Sequence, residues 1–91
     1  KKLDHAEKSF KISLELNPQN ALAFNNLGII KDLKGEFQEA IDNYNKAILL
    51  NLNYAEAYLN LANVYQTLGR QEDALQAINN SIKIKGEIKW I

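Results

Sequence analysis

The sequence predicts an all-α fold of antiparallel helical hairpins, and three observations lead to this prediction. The chain aligns with itself at an offset of 34 residues, with eight identical pairs that include Leu27 with Leu61. Within each copy, apolar side chains recur every three or four residues, which is the period of one helix face. Gly35 and Gly69 divide each copy into two such helical stretches. The sequence therefore predicts repeated hairpins that stack into an α-solenoid of about five helices.

The first predicted helix is a partial copy of the repeat, because its apolar residues lie 34 positions before those of a later helix. Pro18 cannot continue this helix, and the Asn residues beside it suit helix caps. Gly35 and Gly69 end the first helix of each hairpin, since glycine adopts the left-handed backbone conformation without steric cost. The predicted helices, in chain order, are Leu3 to Leu16, Ala21 to Leu33, Phe37 to Leu50, Tyr54 to Leu68 and Gln71 to Ile84.

We expect a single domain over residues 1–91, because a chain of this length has room for one core. Repeats of this kind bury their apolar faces only against neighbouring repeats. The predicted units are the second helix of a partial repeat at 3–20, two full repeats at 21–54 and 55–88, and a tail at 89–91.

The composition excludes several classes of function. Lys plus Arg and Asp plus Glu number 11 each, so the formal net charge is zero and provides no basic surface for nucleic acid or anionic membranes. No apolar run approaches the roughly 20 residues of a membrane span. The chain has no Cys, which excludes disulfides and thiolate metal sites and fits a reducing compartment. We therefore expect a cytoplasmic protein without a nucleic-acid, membrane or cofactor partner.

The sequence contains no recognisable catalytic or metal-binding arrangement. His5, with Asp4 and Glu7, is the one cluster of suitable composition, and the helical period places it on the polar side of the first helix. The Ser residues have no His at a spacing that suggests a catalytic triad, and no Gly-rich phosphate loop occurs. We predict that the chain is not an enzyme and holds no metal.

The order of aromatic, small and glycine residues in each copy resembles the tetratricopeptide repeat. The first full copy departs from the family pattern at Lys31, which replaces the second aromatic residue, and at Leu52, which replaces the closing Pro. The second full copy departs from it at Gln71, Ile78, Ser81 and Gly86. The matching residues are Phe24, Leu27, Gly28, Gly35, Phe37, Ala40, Tyr44 and Ala47 in the first copy, and Tyr58, Leu61, Ala62, Tyr65, Gly69 and Ala74 in the second.

This resemblance implies a concave groove, lined by the first helix of each hairpin, that binds a protein or an extended peptide. Asn26 and Asn60 lie in Asn-Leu-Gly and Asn-Leu-Ala segments. These segments are similar to the repeats of O-linked N-acetylglucosamine transferase-type proteins, where a ladder of Asn residues holds a peptide. The alternative is that both side chains merely face solvent in a chain with 12 Asn residues. The residues predicted to contact a peptide are Asn25, Asn26, Ile29, Leu59, Asn60, Asn63 and Gln66.

One known ligand class of the family does not fit the sequence. Tetratricopeptide domains that bind the acidic C-termini of heat-shock chaperones hold the carboxylates with Lys and Arg. The corresponding places here carry Leu22, Asn25, Glu56 and Leu59, which supply no positive charge. The resemblance therefore predicts a peptide-binding groove without this carboxylate clamp.

A second functional hypothesis is a structural unit that assembles with copies of itself. The predicted array has no polar capping helix at either end, so apolar side chains of the end helices would face water in a monomer. The alternative is a monomeric fragment with a frayed tail. The residues predicted to mediate self-association are Leu3, Phe10, Leu75, Ile78, Ile82 and Trp90.

Overall fold

The computed structural model describes the backbone of residues 1–89 and the side chains of residues 1–86. Within that part of the chain the structure consists of five α-helices and has no strand. Trp90, which was predicted to mediate self-association, lies outside the described residues. The helices are α1 (Lys2–Leu16), α2 (Ala21–Leu33), α3 (Phe37–Leu50), α4 (Ala55–Thr67) and α5 (Gln71–Lys89).

The helices pack as an α-solenoid, which confirms the predicted fold class. Helices α2 and α3 form one hairpin, and α4 and α5 form the next. Helix α3 packs against α4 and thereby joins the two hairpins, while α1 packs against α2. The first helices of the hairpins, α2 and α4, also touch each other.

The turn inside each hairpin has the predicted left-handed glycine. Gly35 has φ 79° and Gly69 has φ 76°. After α2, the N–H of Glu36 donates to the carbonyl of Lys31 at 2.8 Å, and the N–H of Gly35 donates to that of Asp32 at 2.9 Å. These two bonds satisfy carbonyls that the end of a helix leaves without partners.

The segments between the hairpins are held by Asn side chains, as the sequence predicts. The Oδ1 of Asn20 accepts a hydrogen bond from the N–H of Ala23 at 3.1 Å and caps the start of α2. Asn17 and Asn51 each accept a bond from the backbone N–H two residues later. These local bonds favour a turn over a continued helix.

The main core lies where α3 and α4 meet. It is composed of Ala40, Ile41, Tyr44, Ala47 and Ile48 from α3, and Ala57, Leu61 and Val64 from α4. Gly28 of α2 lies directly against the Tyr44 ring, and a Cβ atom at position 28 would be 2.5 Å from Cε1 of that ring. The absence of a side chain at position 28 therefore allows the hairpin to close around a large aromatic residue.

The last helix is longer than the sequence predicts. The predicted helix ends at Ile84, but α5 continues through Gly86 to Lys89. A glycine inside a helix costs only about 1 kcal/mol relative to alanine, and the burial of Ile84 holds the preceding turn in place. None of the helices within residues 1–89 combines the length and apolar character needed to cross a membrane.

Candidate functional site

The candidate site is formed by the sides of α2 and α4 that point away from the core. Ala23, Leu27 and Ile30 of α2 are buried, as are Leu61 and Val64 of α4. The remaining sides of the two helices lie next to each other and form what we term the groove face. Its members are Leu22, Asn26, Ile29, Asp32 and Leu33 from α2, and Glu56, Leu59, Asn60, Asn63, Gln66 and Thr67 from α4.

Asn25 was predicted to contact a peptide, and the structure contradicts this prediction. Its side chain is only 3% exposed, and its Oδ1 accepts a hydrogen bond of 3.1 Å from the Nδ2 of Asn60. Asn25 lies where α2 and α4 meet, so the second hairpin covers it. Asn25 therefore holds Asn60 of the groove face in place and is itself too buried to contact a ligand.

Asn25 also interacts with Tyr54, the residue that precedes α4. Burial raises the pKa of the Tyr54 hydroxyl, and the negative charge of Glu56 adds to this effect. A hydrogen bond with the Asn25 side chain acts in the opposite direction. Asn25 thus links α2 to Asn60 of α4 and to Tyr54, the residue that precedes α4.

Asn26 and Asn60, the two predicted rungs of an Asn ladder, are both half-buried but are not equivalent. The amide group of Asn60 donates to Asn25, which fixes the side chain and leaves its Oδ1 as an acceptor for a ligand. Asn26 makes no side-chain hydrogen bond within the described part of the chain. One rung is therefore held in place and the other is free to adjust.

The other predicted contact residues differ in how much of each side chain is accessible. Ile29 and Leu59 are half-buried, and Ile29 packs against the main core. Asn63 and Gln66 are exposed. The groove face thus places half-buried apolar side chains between amide groups. The amide groups suit the backbone of an extended peptide, and the apolar side chains suit alternate side chains of that peptide.

Lys31, which replaces the second aromatic residue of the family pattern in the first full repeat, lies among acidic side chains. The Lys31 Nζ lies 2.8 Å from Glu39, 3.1 Å from Glu36 and 3.1 Å from Glu7 of α1. Glu7 also binds Lys11 at 2.8 Å and Lys34 at 2.9 Å. These groups form an ionic cluster that attaches α1 to the first hairpin.

The charges of this cluster shift the pKa values of its members. Hydrogen bonds from Lys11, Lys34 and Lys31 lower the pKa of Glu7 to about 2. The Glu39 carboxylate is the largest contributor to the raised pKa of Lys31, and Asp4 is the largest for Lys34. From the sequence Lys31 was recognisable only as a departure from the family pattern, because its partners lie on α1 and at the start of α3.

A second exposed surface lies on α5. Leu75 and Ile82 are exposed, whereas Ile78 is half-buried against Ala74 and Ala77. A cleft of about 340 Å³ lies beside Leu75 and Ile78, and its other lining residues are Gln66, Gln71 and Ala74. This surface, defined by Leu75, Ile78 and Ile82, is termed the α5 face.

The opposite end of the array is less open than predicted. Leu3 and Phe10 are half-buried, because α1 packs against α2. Ile78 is likewise not fully open to water. Among the residues predicted to mediate self-association, only Leu75 and Ile82 are exposed within the described part of the chain.

Three family models match overlapping parts of the chain. Two models described as tetratricopeptide repeat match residues 10–42 and 55–87, and one described as TPR repeat matches residues 33–69. Residues 10–87 are tetratricopeptide repeats. In residues 1–86, no group of three or more His, Cys, Asp or Glu side chains is arranged to hold a metal ion.

Several known proteins resemble these repeats. The peroxisomal targeting signal receptor of Kluyveromyces lactis is 29% identical over 75 residues, which are 82% of this chain and 13% of the receptor. A crystal structure of MamA protein is 36% identical, with a TM-score of 0.86 over 92% of this chain and 46% of MamA. The chain therefore spans about half of this relative and a small part of the receptor.

Two further structures share the fold at lower identity. Another MamA crystal structure has a TM-score of 0.95 at 22% identity. The match spans 99% of this chain and 53% of the MamA chain. The second TPR of Spaghetti (RPAP3), bound to the HSP90 peptide SRMEEVD, has a TM-score of 0.86 at 22% identity. This match spans 91% of the present chain and 77% of the RPAP3 chain.

Proposed function

We propose that this array is a non-catalytic scaffold module that binds an extended peptide, or an extended segment of a protein, on the groove face. The observation that carries the proposal is the hydrogen bond between Asn60 and Asn25, which holds one carboxamide at the surface with its oxygen available. A ligand that binds a preorganised group loses less entropy on binding. The Asn60 Oδ1 is therefore preorganised to accept a hydrogen bond from a peptide N–H.

The neighbouring side chains suit an extended ligand. Asn26 offers both donors and an acceptor, so it can pair with the backbone of any sequence. Ile29 and Leu59 are half-buried and leave part of their apolar surface for alternate side chains of the ligand. Proteins with similar repeats support this reading, since one is a targeting-signal receptor and another was solved with a bound peptide.

The finer features of the proposal rest on the sequence. The ladder of Asn26 and Asn60 is similar to that of O-linked N-acetylglucosamine transferase-type repeats, although the burial of Asn25 removes one neighbouring contact. The absence of Cys favours a cytoplasmic location. The groove face contains no Lys or Arg, so an acidic ligand such as SRMEEVD has no cation to bind there.

A peptide selected by display against the chain tests this function. Each net hydrogen bond is worth about 0.5 to 1.5 kcal/mol, so Asn26→Ala with Asn60→Ala should weaken binding by about fivefold to a hundredfold. Asn45→Ala with Asn79→Ala is the matched control, because these exposed residues occupy equivalent positions of α3 and α5. Equal affinity of both double variants, with helicity intact by circular dichroism, would remove the groove face as the binding site.

Self-assembly is a second candidate function, and the exposure of Leu75 and Ile82 favours it. Burying one such side chain is worth about 1.5 to 3 kcal/mol, so a few of them offset the entropic cost of association at micromolar concentration. Sedimentation equilibrium at about 100 µM should then show a dimer or larger species. Leu75→Lys with Ile82→Lys should restore the monomer, while Ile12→Lys with Leu16→Lys on α1 should not; a monomeric parent chain contradicts this candidate.

A further inference from the structure

The groove face carries charge of one sign only. Its charged side chains are Asp32 near the end of α2 and Glu56 in the first turn of α4. Neither carboxylate has a Lys or Arg within ion-pair distance among the described side chains. We propose, on the basis of the function proposed above, that the groove face selects an extended peptide with cationic side chains.

The cations nearest in sequence are already engaged elsewhere. Helix α4 contains no Lys or Arg, and the only one in α2 is Lys31. Lys31 binds Glu7, Glu36 and Glu39, and Lys34 binds Asp4 and Glu7. The ionic cluster therefore holds these positive charges beside α1 and leaves the acidic groups of the groove face to a ligand.

The two carboxylates lie at opposite ends of the groove face. The repeat offset places Asp32 level with Gln66, which is ten residues after Glu56 along the neighbouring helix. Ten residues of helix span about 15 Å, and adjacent helix axes lie about 8 to 10 Å apart. The diagonal between the carboxylates is therefore about 18 Å by the same geometry.

An extended peptide crosses this distance in about six residues at roughly 3.3 Å each. Side chains six positions apart also point to the same side of an extended chain, because its period is two. The favoured ligand thus has two Lys or Arg residues six positions apart. The two intervening side chains on that side would be apolar and would contact Ile29 and Leu59.

Three peptides of nine residues test this preference. Each has Leu at its fourth and sixth positions and Ser elsewhere, and they differ only in carrying Lys, Gln or Glu at the second and eighth positions. A surface ion pair adds a factor of about two to five in affinity, so two pairs should favour the Lys peptide over the Gln peptide by about fivefold or more. Fluorescence anisotropy at low salt measures the affinities, and about 1 M NaCl should remove the preference.

The variants identify where the preference arises. Asp32→Asn with Glu56→Gln should make the Lys and Gln peptides bind equally. Asp42→Asn with Glu72→Gln removes the same charge from exposed positions of α3 and α5 and should keep the preference. Persistence of the preference in the first double variant would overturn the assignment to Asp32 and Glu56.

The remaining outcomes separate this inference from the proposed function. If all three peptides bind equally and lose affinity in the Asn26→Ala, Asn60→Ala variant, the groove binds peptides and the cationic preference is wrong. Tighter binding of the Glu peptide would also overturn the preference. If no peptide binds at about 1 mM, both the preference and the peptide-binding function of the groove face are contradicted.

Discussion

The two hairpins have equivalent residues in different surroundings. Ile41 and Ile48 of α3 are 4% and 8% exposed, because α4 covers them. The residues 34 positions later, Leu75 and Ile82 of α5, are 59% and 61% exposed. Their side chains are alike in size and polarity, so the difference comes from the neighbouring helix. In a repeat array, burial is a property of a position within the stack as much as of the residue.

The hairpins also differ in how they fill the space between their own helices. The first pairs Gly28 with the large ring of Tyr44, whereas the second has Ala62 and Ile78 at the equivalent places. A smaller residue on one helix thus accompanies a larger one on the other. The total volume is nearly conserved, which is the condition under which core substitutions are tolerated.

The largest expected effect comes from truncating equivalent residues of the two hairpins. Ile41→Ala should lower the free energy of unfolding by about 2 to 5 kcal/mol, since it leaves a cavity in the main core. Leu75→Ala should cost less than about 1 kcal/mol, because this side chain is mostly in water. Urea denaturation of both variants at low protein concentration measures the difference. Equal losses would mean that the α5 face is covered in solution, and the second candidate function would gain support.

The sequence predicted the fold well because its repeat, its helical periodicity and its glycine turns all act locally. Gly35 and Gly69 end their helices as expected, and Asn20 caps α2. The end of α5 was predicted wrongly. The low helix propensity of Gly86 does not outweigh the packing that continues the helix. Local signals therefore identified the helices, and tertiary packing decided where the last one ends.

A second prediction concerns the same substitution at two glycines. Gly28→Ala should lower the free energy of unfolding by about 1 to 3 kcal/mol, because its Cβ would meet the Tyr44 ring. Gly86→Ala has open space around its Cβ and should raise stability by about 0.5 to 1 kcal/mol through helix propensity. Thermal denaturation followed by circular dichroism gives both signs. Adding Tyr44→Ile to Gly28→Ala imitates the second hairpin and should recover part of the loss; a loss unchanged by this addition would contradict the steric account.

The candidate site was less predictable than the fold. Helical periodicity placed Asn25 and Asn26 on the same side of α2, and only the structure separates them into a buried and a half-buried residue. The bond from Asn60 to Asn25 joins positions that are 35 residues apart, one more than the repeat, so self-alignment does not reveal it. Which groove residues are accessible depends on how adjacent repeats pack, and this is not encoded in one repeat.

The joint between α1 and the first hairpin gives the smallest expected effect. In the second hairpin the place of Lys31 is taken by Tyr65, whose ring lies 4.7 Å from the Arg70 guanidinium carbon. The first hairpin has the ionic cluster instead, with Glu7 at its centre. Glu7→Gln should therefore lower the free energy of unfolding at pH 7 by about 1 kcal/mol or less, as is usual for partly exposed ion pairs.

The pH dependence of stability distinguishes this ionic joint from ordinary packing. Because the pKa of Glu7 is lowered from 4.5 to about 2 in the folded chain, its stabilising contribution is complete above pH 4.5 and is lost as the pH falls towards 2. Urea denaturation from pH 7 to pH 2.5 should therefore show the parent chain approaching the Glu7→Gln variant as the pH falls below 4.5. Glu15→Gln is the control, since Glu15 is an exposed residue of the same helix with no ion pair among the described side chains. If the gap between the parent and Glu7→Gln stays constant over this range, the attachment of α1 depends on packing and not on the charge of Glu7.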